Sequence, residues 1–198
     1  MLKDPRSQRE AVASLGRLNL DASKRALFEI VSQRTAELSI RIDAIERLAA
    51  SGDQTYVDPL FQLAKIGQDD FGPLIRAASH LGGAPMVERL SGYLRSENVE
   101  VRRDAAAALG HTNSVSALQV LAGLLGSDPD RLVRWRAAYS LAQLTDASPY
   151  SDGILVSASD AGEDYPFWSS FLRDHQGTVE IHPLPWVAEP LFIGLQLN

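Results

Sequence analysis

The residues best suited to metal chemistry lie near the C-terminus. His175 and His182 stand seven positions apart beside Asp174 and Glu180. Imidazole and carboxylate are transition-metal ligands, but this spacing matches no compact ligand set and the chain has no Cys to complete one. The plainer reading is two surface or capping histidines, so neither a metal nor a cofactor is expected. Asp160-Ala161-Gly162-Glu163-Asp164 offers oxygens to calcium, yet it lacks the alternating ligands and closing Glu of an EF-hand loop and reads as an acidic solvent loop. Nucleophilic catalysis has no better basis: there is no Gly-x-Ser-x-Gly elbow, and Ser79 and Ser140 fall among small residues of packed helices. Gly82-Gly83 is a helix connection, not a phosphate cradle. No catalytic residue is assigned, and the expectation is a protein that is not an enzyme.

Cations and aromatics offer a second kind of chemistry. Arg131, Arg134 and Arg136 surround Trp135, and Arg102-Arg103 stands one repeat earlier, a pattern able to neutralise a row of phosphates. The charge balance opposes that reading. The chain carries −6 overall, and after Thr145 eight acids face the single base Arg173, leaving 18 bases and 17 acids in residues 1–145. A neutral body with an acidic tail repels a polyanion.

The elements that carry these residues are set by an internal repeat. Val101-Arg102-Arg103-Asp104-Ala105-Ala106-Ala107-Ala108-Leu109-Gly110 returns 32 positions later as Val133-Arg134-Trp135-Arg136-Ala137-Ala138-Tyr139-Ser140-Leu141-Ala142. Weaker copies begin at Glu10, Asp43 and Arg76, which align with Asp104 and Arg136 at steps of 33, 33, 28 and 32. Each copy places Ala and Leu four positions apart beside small residues, so one helical face is built for close packing. The first helix of each unit is expected to end near Gly16, Gly52, Gly82 or Gly110. Second helices are expected over residues 21–35, 56–66, 85–95 and from Ser114 to Gly126, with Ser127 or Asp128 capping the next first helix ahead of Pro129.

No second helix with matching periodicity follows Thr145, and a last repeat with a bare apolar face needs a cap. Residues 1–145 are therefore read as the solenoid and 146–198 as an acidic, aromatic-containing cap. The cap holds the apolar run Ile154-Leu155-Val156, a short helix candidate over 166–172, and strand-like stretches over 178–182 and 191–197. An apolar content of 45% with 22% charged residues is that of a folded protein. The N-terminal stretch lacks a signal-peptide core and no window reaches 18 uninterrupted apolar residues, so a cytoplasmic location without a membrane span is expected.

Val101-Arg102 through Ala105-Ala106 to Leu109-Gly110, its echo from Val133-Arg134 to Leu141, and the Ser127-Asp128-Pro129 entry resemble the short HEAT-like repeats first described in phycobilin lyases and found in many bacterial proteins. The resemblance covers about residues 5–145. It implies a mainly α fold, a right-handed α-solenoid of about five helix pairs whose second helices line a concave, protein-binding surface, closed here by a mixed, partly β segment. It also implies that Arg102 and Arg134 hydrogen-bond between neighbouring units. On that frame the partner-binding residues are expected among Gln62, Lys65, Glu88, Arg89, Arg95 and Gln119 on the second helices and Trp168 and Trp186 in the cap. The function expected is non-catalytic protein binding as an adaptor or an immunity-like inhibitor, with a partner protein whose surface is basic. The alternatives are a bilin-lyase-like or other small-ligand-handling enzyme and a nucleic-acid binder.

Overall fold

A computed structural model describes residues 4–145, 147, 165–175, 178, 180 and 181. Helices α1 (Pro5–Leu18), α2 (Asp21–Ser32), α3 (Leu38–Ala50), α4 (Val57–Leu63), α5 (Phe71–Gly82), α6 (Met86–Ser91), α7 (Val99–Gly110), α8 (Val115–Ser127) and α9 (Arg131–Thr145) alternate as first and second members of successive units, and α10 (Tyr165–Asp174) follows. Among the described residues there is no strand, and the stack is a helical repeat solenoid. The apolar run 154–156 and the strand-like stretch 191–197 lie outside the described residues; of the stretch expected as a strand over 178–182, residues 178, 180 and 181 are described and none is in a strand.

The helix starts follow local side-chain chemistry. Asp4 Oδ2 accepts from the Ser7 amide at 2.9 Å with a proline in the first turn, and Asn98 Oδ1 accepts from the Glu100 amide at 2.9 Å. Helix α9 departs from expectation. Its cap is Asp130, whose Oδ1 accepts from the Leu132 amide at 2.8 Å, because Asp128 is engaged elsewhere.

The glycines also work differently from the sequence reading. Gly52 does take the left-handed conformation, with φ +70°. The first helices do end near their glycines, at Leu18, Ala50, Gly82 and Gly110, but Gly16 and Gly110 are not left-handed and instead permit close approach. A Cβ on Gly16 would stand 2.5 Å from Arg47 Cδ, and one on Gly110 would stand 2.8 Å from Ser140 Oγ. Asn19, with φ 46°, ends α1 in place of Gly16.

Such positions let odd-numbered helices touch each successive neighbour, from α1 on α3 to α7 on α9. Even-numbered helices pack chiefly onto the odd helix that follows, and among the described residues α8 and α10 are the one even pair in substantial contact, less extensive than any successive odd pair. The odd layer is therefore the more closely stacked one. The small side chains that permit close stacking reside on the first helices: Ala105, Ala106 and Ala108 are fully buried.

One register position stitches the units together. Arg41 in α3 and Arg102 in α7 occupy it, and each reaches an aspartate in the loop before the next odd helix. Arg102 donates to Asp128 through Nε at 2.8 Å and Nη2 at 3.1 Å. Arg41 pairs with Asp70, which also accepts from Arg34 Nη1 at 2.8 and 2.9 Å. Asp70 is 1% exposed, and its buried charge is compensated by Arg41 and shared with Arg34. In α5 the same position is Leu74, fully buried. Among the described residues Arg134 in α9 bonds backwards, to the Asp128 and Pro129 carbonyls at 2.8 and 3.0 Å. The bond expected between units is thus made by Arg102 and by Arg41.

At the C-terminal end α10 rests on α8 and supplies the missing second-helix neighbour. Trp168 is 0% exposed and joins the same continuous core as the repeats, with Phe167, Phe171, Leu172 and Ile181 packed against it.

Candidate functional site: the inner face of the odd helices

The position that starts each repeat copy is occupied by Glu10, Asp43, Arg76, Asp104 and Arg136, charged in every unit. Its last three members alternate in sign across α5, α7 and α9. The buried Ala105-Ala106 pair anchors α7 behind Asp104, which turns its side chain towards the preceding helix. There the carboxylate lies over Gly72, where a Cβ would stand 2.8 Å from its Cγ and both oxygens. Only glycine leaves that space.

Arg76 Nη1 comes within 3.8 Å of Asp104 Oδ1. Arg103 is held on the same helix by Glu100, with Nη1 donating to Oε1 at 3.1 Å. Arg136 closes the far side, its guanidinium 5.2 Å from the Trp135 ring centre and 5.5 Å from that of Tyr139. Burial pushes the Asp104 carboxyl above the usual carboxylate range even though Arg76, Arg103 and Arg136 pull it down. The neighbouring row behaves alike. Glu46 is pushed up by burial and then by Asp43, and His80 is pushed down by burial and then by His111. Chemically the row is a desolvated donor and acceptor array with an aromatic end, suited to recognising polar groups of a macromolecule. Among the described residues no group of three or more His, Asp and Glu is placed to hold a metal ion.

The residues expected to bind a partner lie on the other layer. Gln62 in α4, Lys65 after it, Glu88 and Arg89 in α6, Arg95 in the following turn and Gln119 in α8 are all exposed. Arg89 is the most constrained, donating to Asp58 Oδ1 at 2.7 Å and standing 4.0 Å over the Phe61 ring. Trp168 is a correction: buried in the core with no surface of its own, it holds the cap and offers no anchor to a partner. Trp186, His182 and residues 160–164 lie outside the described residues. His175 is exposed and stacks on Phe171 at 4.5 Å.

The basic stripe is largely used internally. Arg102 pairs with Asp128, Arg103 with Glu100, Arg134 with loop carbonyls, and Arg136 is buried beside two rings, which leaves Arg131 exposed. The register position of Arg76, Asp104 and Arg136 was legible in the sequence as five charges in phase. Their closeness across α5, α7 and α9 was not, because it depends on how the first helices stack.

Fold and site together define a helical repeat solenoid with a charged row along its first helices. Residues 74–142, from α5 into α9, match the family model of HEAT repeats, so this central stretch belongs to the HEAT-like repeats. Repeats of this class commonly act as protein-interaction scaffolds. No curated protein matches the chain. Among the described residues no helix is long and apolar enough to cross a membrane.

Proposed function

We propose that the chain is a non-catalytic protein-binding repeat protein, an adaptor or an inhibitor of the immunity type, that receives its partner on the inner face of α5, α7 and α9. The observation that supports this is Asp104. A carboxylate that burial holds in an unfavourable state, in a space kept open by Gly72, is a local sacrifice of stability of the kind found at functional sites. Arg76, Arg103 and Arg136 contribute donors around it, and Trp135 and Tyr139 supply the rigid rings that anchor interfaces.

The acidic tail favours a basic partner, because long-range attraction speeds the encounter of opposite charges. Association should then slow as ionic strength rises, and a rate indifferent to salt would remove the electrostatic part of the proposal. The face is tested by affinity capture from a lysate of the source cell with the full chain, comparing Asp104→Asn and Arg103→Ala with Glu88→Ala and Gln119→Ala on the even layer, each scored for retention of the protein that the parent chain captures. Loss confined to the first two supports the inner face. Loss confined to the last two returns the interface to the second helices.

A further inference from the structure

Arg76 and Asp104 are neighbours that do not bond. Nη1 of Arg76 stands 3.8 Å from Asp104 Oδ1, beyond the roughly 2.7 to 3.2 Å of an N–H···O hydrogen bond. Among the described residues neither side chain makes a hydrogen bond, although only 19% and 24% of their side-chain surfaces are exposed. Arg41, Arg102 and Arg103, by contrast, all close on their carboxylates. Gly72 sets the orientation of Asp104. A Cβ there would stand 2.8 Å from Cγ and from each oxygen, so the carboxylate lies face-on against the glycine. Its acceptor lone pairs, which lie in the carboxylate plane, are then turned to the sides. The surrounding charge is balanced. Counting Glu46 and Asp104 with the charges that act on them, Asp43, Glu46, Glu100 and Asp104 stand against four arginines.

We infer that this pair receives the side-chain carboxamide of an asparagine or glutamine of the partner protein, an inference that rests on the binding face proposed above. Arg76 supplies a donor to the amide oxygen, and Asp104 supplies an acceptor to the amide NH2. A primary carboxamide presents its oxygen and one N–H side by side, the edge with which Asn and Gln read adenine. A closed ion pair leaves no room for that edge, whereas the 3.8 Å gap admits it. Single charges fit worse. A lysine or arginine of the partner would pair with Asp104 and meet Arg76 as a like charge, and a carboxylate would do the reverse. Because the surrounding charge is balanced, neither recovers elsewhere the hydration it gives up. A main-chain peptide is excluded by shape, since the N–H and C=O of a trans amide point to opposite sides. A nucleobase edge offers the same two atoms but arrives with phosphates, which the acidic segment after Thr145 repels. The amide donor also restores to Asp104 part of the hydration whose loss pushes its carboxyl up. The two electrostatic roles differ in range: the acidic segment steers a basic partner, and the Arg76–Asp104 pair reads one neutral group on it.

The test pans a displayed library of random linear peptides on the full chain and measures the affinity of the enriched peptides by fluorescence anisotropy. These are expected to share an Asn or Gln at one position. Replacing that residue by Leu, or by Asp or Lys, should weaken binding about tenfold or more, because each change leaves one or both of Arg76 and Asp104 unpaired. On Asp104→Ala the same replacement by Leu should cost little further, the coupling that marks a direct contact. Arg76→Gln serves as the second variant should circular dichroism show Asp104→Ala unfolded. A shared Arg or Lys whose binding is lost in Asp104→Ala overturns the carboxamide and leaves the binding face standing. Peptides indifferent to both Asp104→Ala and Arg76→Gln overturn the carboxamide and the face together. Failure to enrich any peptide overturns the carboxamide, and the face then stands or falls by the lysate comparison. Retention of mixed-sequence single-stranded DNA that is lost in Asp104→Ala overturns it in favour of a base edge.

Discussion

Replacing Asp70 by Asn is expected to be among the most damaging changes of one functional group in the solenoid. Asp70 is 1% exposed, and Arg41, with its side chain 8% exposed, is as deeply placed. Removing the carboxylate charge strands Arg41 in a region from which water is excluded. Breaking a buried pair this way costs about 3 to 5 kcal/mol. The lower end applies, because Arg34 is 38% exposed and can turn its share of the charge to solvent. Against a total stability of about 5 to 15 kcal/mol this is a large fraction. With a urea slope of about 1 to 3 kcal/mol per molar, a 3 kcal/mol loss lowers the midpoint by about 1 M or more at unchanged slope. The assay is equilibrium urea unfolding followed by circular dichroism. The double change Arg41→Leu with Asp70→Leu copies the third unit, where Leu74 fills the joint, and should recover most of the loss, as replacing a whole buried pair by packed apolar groups often does. A midpoint for Asp70→Asn indistinguishable from the parent would refute the claim that the Arg–Asp pair closes this joint.

Three further outcomes follow from the packing and the charges. Trp168→Ala should cost about 3 to 5 kcal/mol and expose α8, read as a lower thermal midpoint and as new dye binding to apolar surface. Gly110→Ala should lose about 1 to 3 kcal/mol from the clash with Ser140, less whatever the alanine returns in helix propensity, and adding Ser140→Gly should restore it. His80 titrates below its ordinary 6.5 in the folded chain, so the unfolded chain takes up the proton first. Its contribution to stability is therefore complete above pH 6.5 and is lost as pH falls towards the folded value. Thermal midpoints measured from neutral pH down to about pH 5 should show this decline, and His80→Gln should flatten it.

The sequence made the repeat and its phase legible because close stacking demands small residues at fixed positions, and Ala105-Ala106 and Ala137-Ala138 meet that demand in plain view. It placed the helix ends near the glycines but not the reason for Gly16 and Gly110, since a glycine kept for close packing and one kept for a left-handed cap look alike until a neighbour such as Arg47 or Ser140 is in place. Asp128 was misread for a related reason. A residue able to cap a helix is also able to pair with an arginine, and Arg102 lies 26 positions upstream, beyond local pattern. The candidate site was half visible: Glu10, Asp43, Arg76, Asp104 and Arg136 stand in phase, but which layer is the tighter emerges only from three-dimensional packing. Trp168 was weighed as both anchor and cap; its burial decides for the cap.

The central claim is that Asp104 is kept for binding at the expense of stability. Its carboxyl is pushed up in the folded chain, so it favours folding only at pH below the ordinary carboxylate value and opposes it at neutral pH. The most direct measurement pairs the thermal midpoint of Asp104→Asn at neutral pH with its affinity for the captured partner. The account predicts a midpoint equal to or above that of the parent together with a weakened complex. A lower midpoint with an undiminished complex would contradict it and make Asp104 a structural residue of the α5–α7 contact.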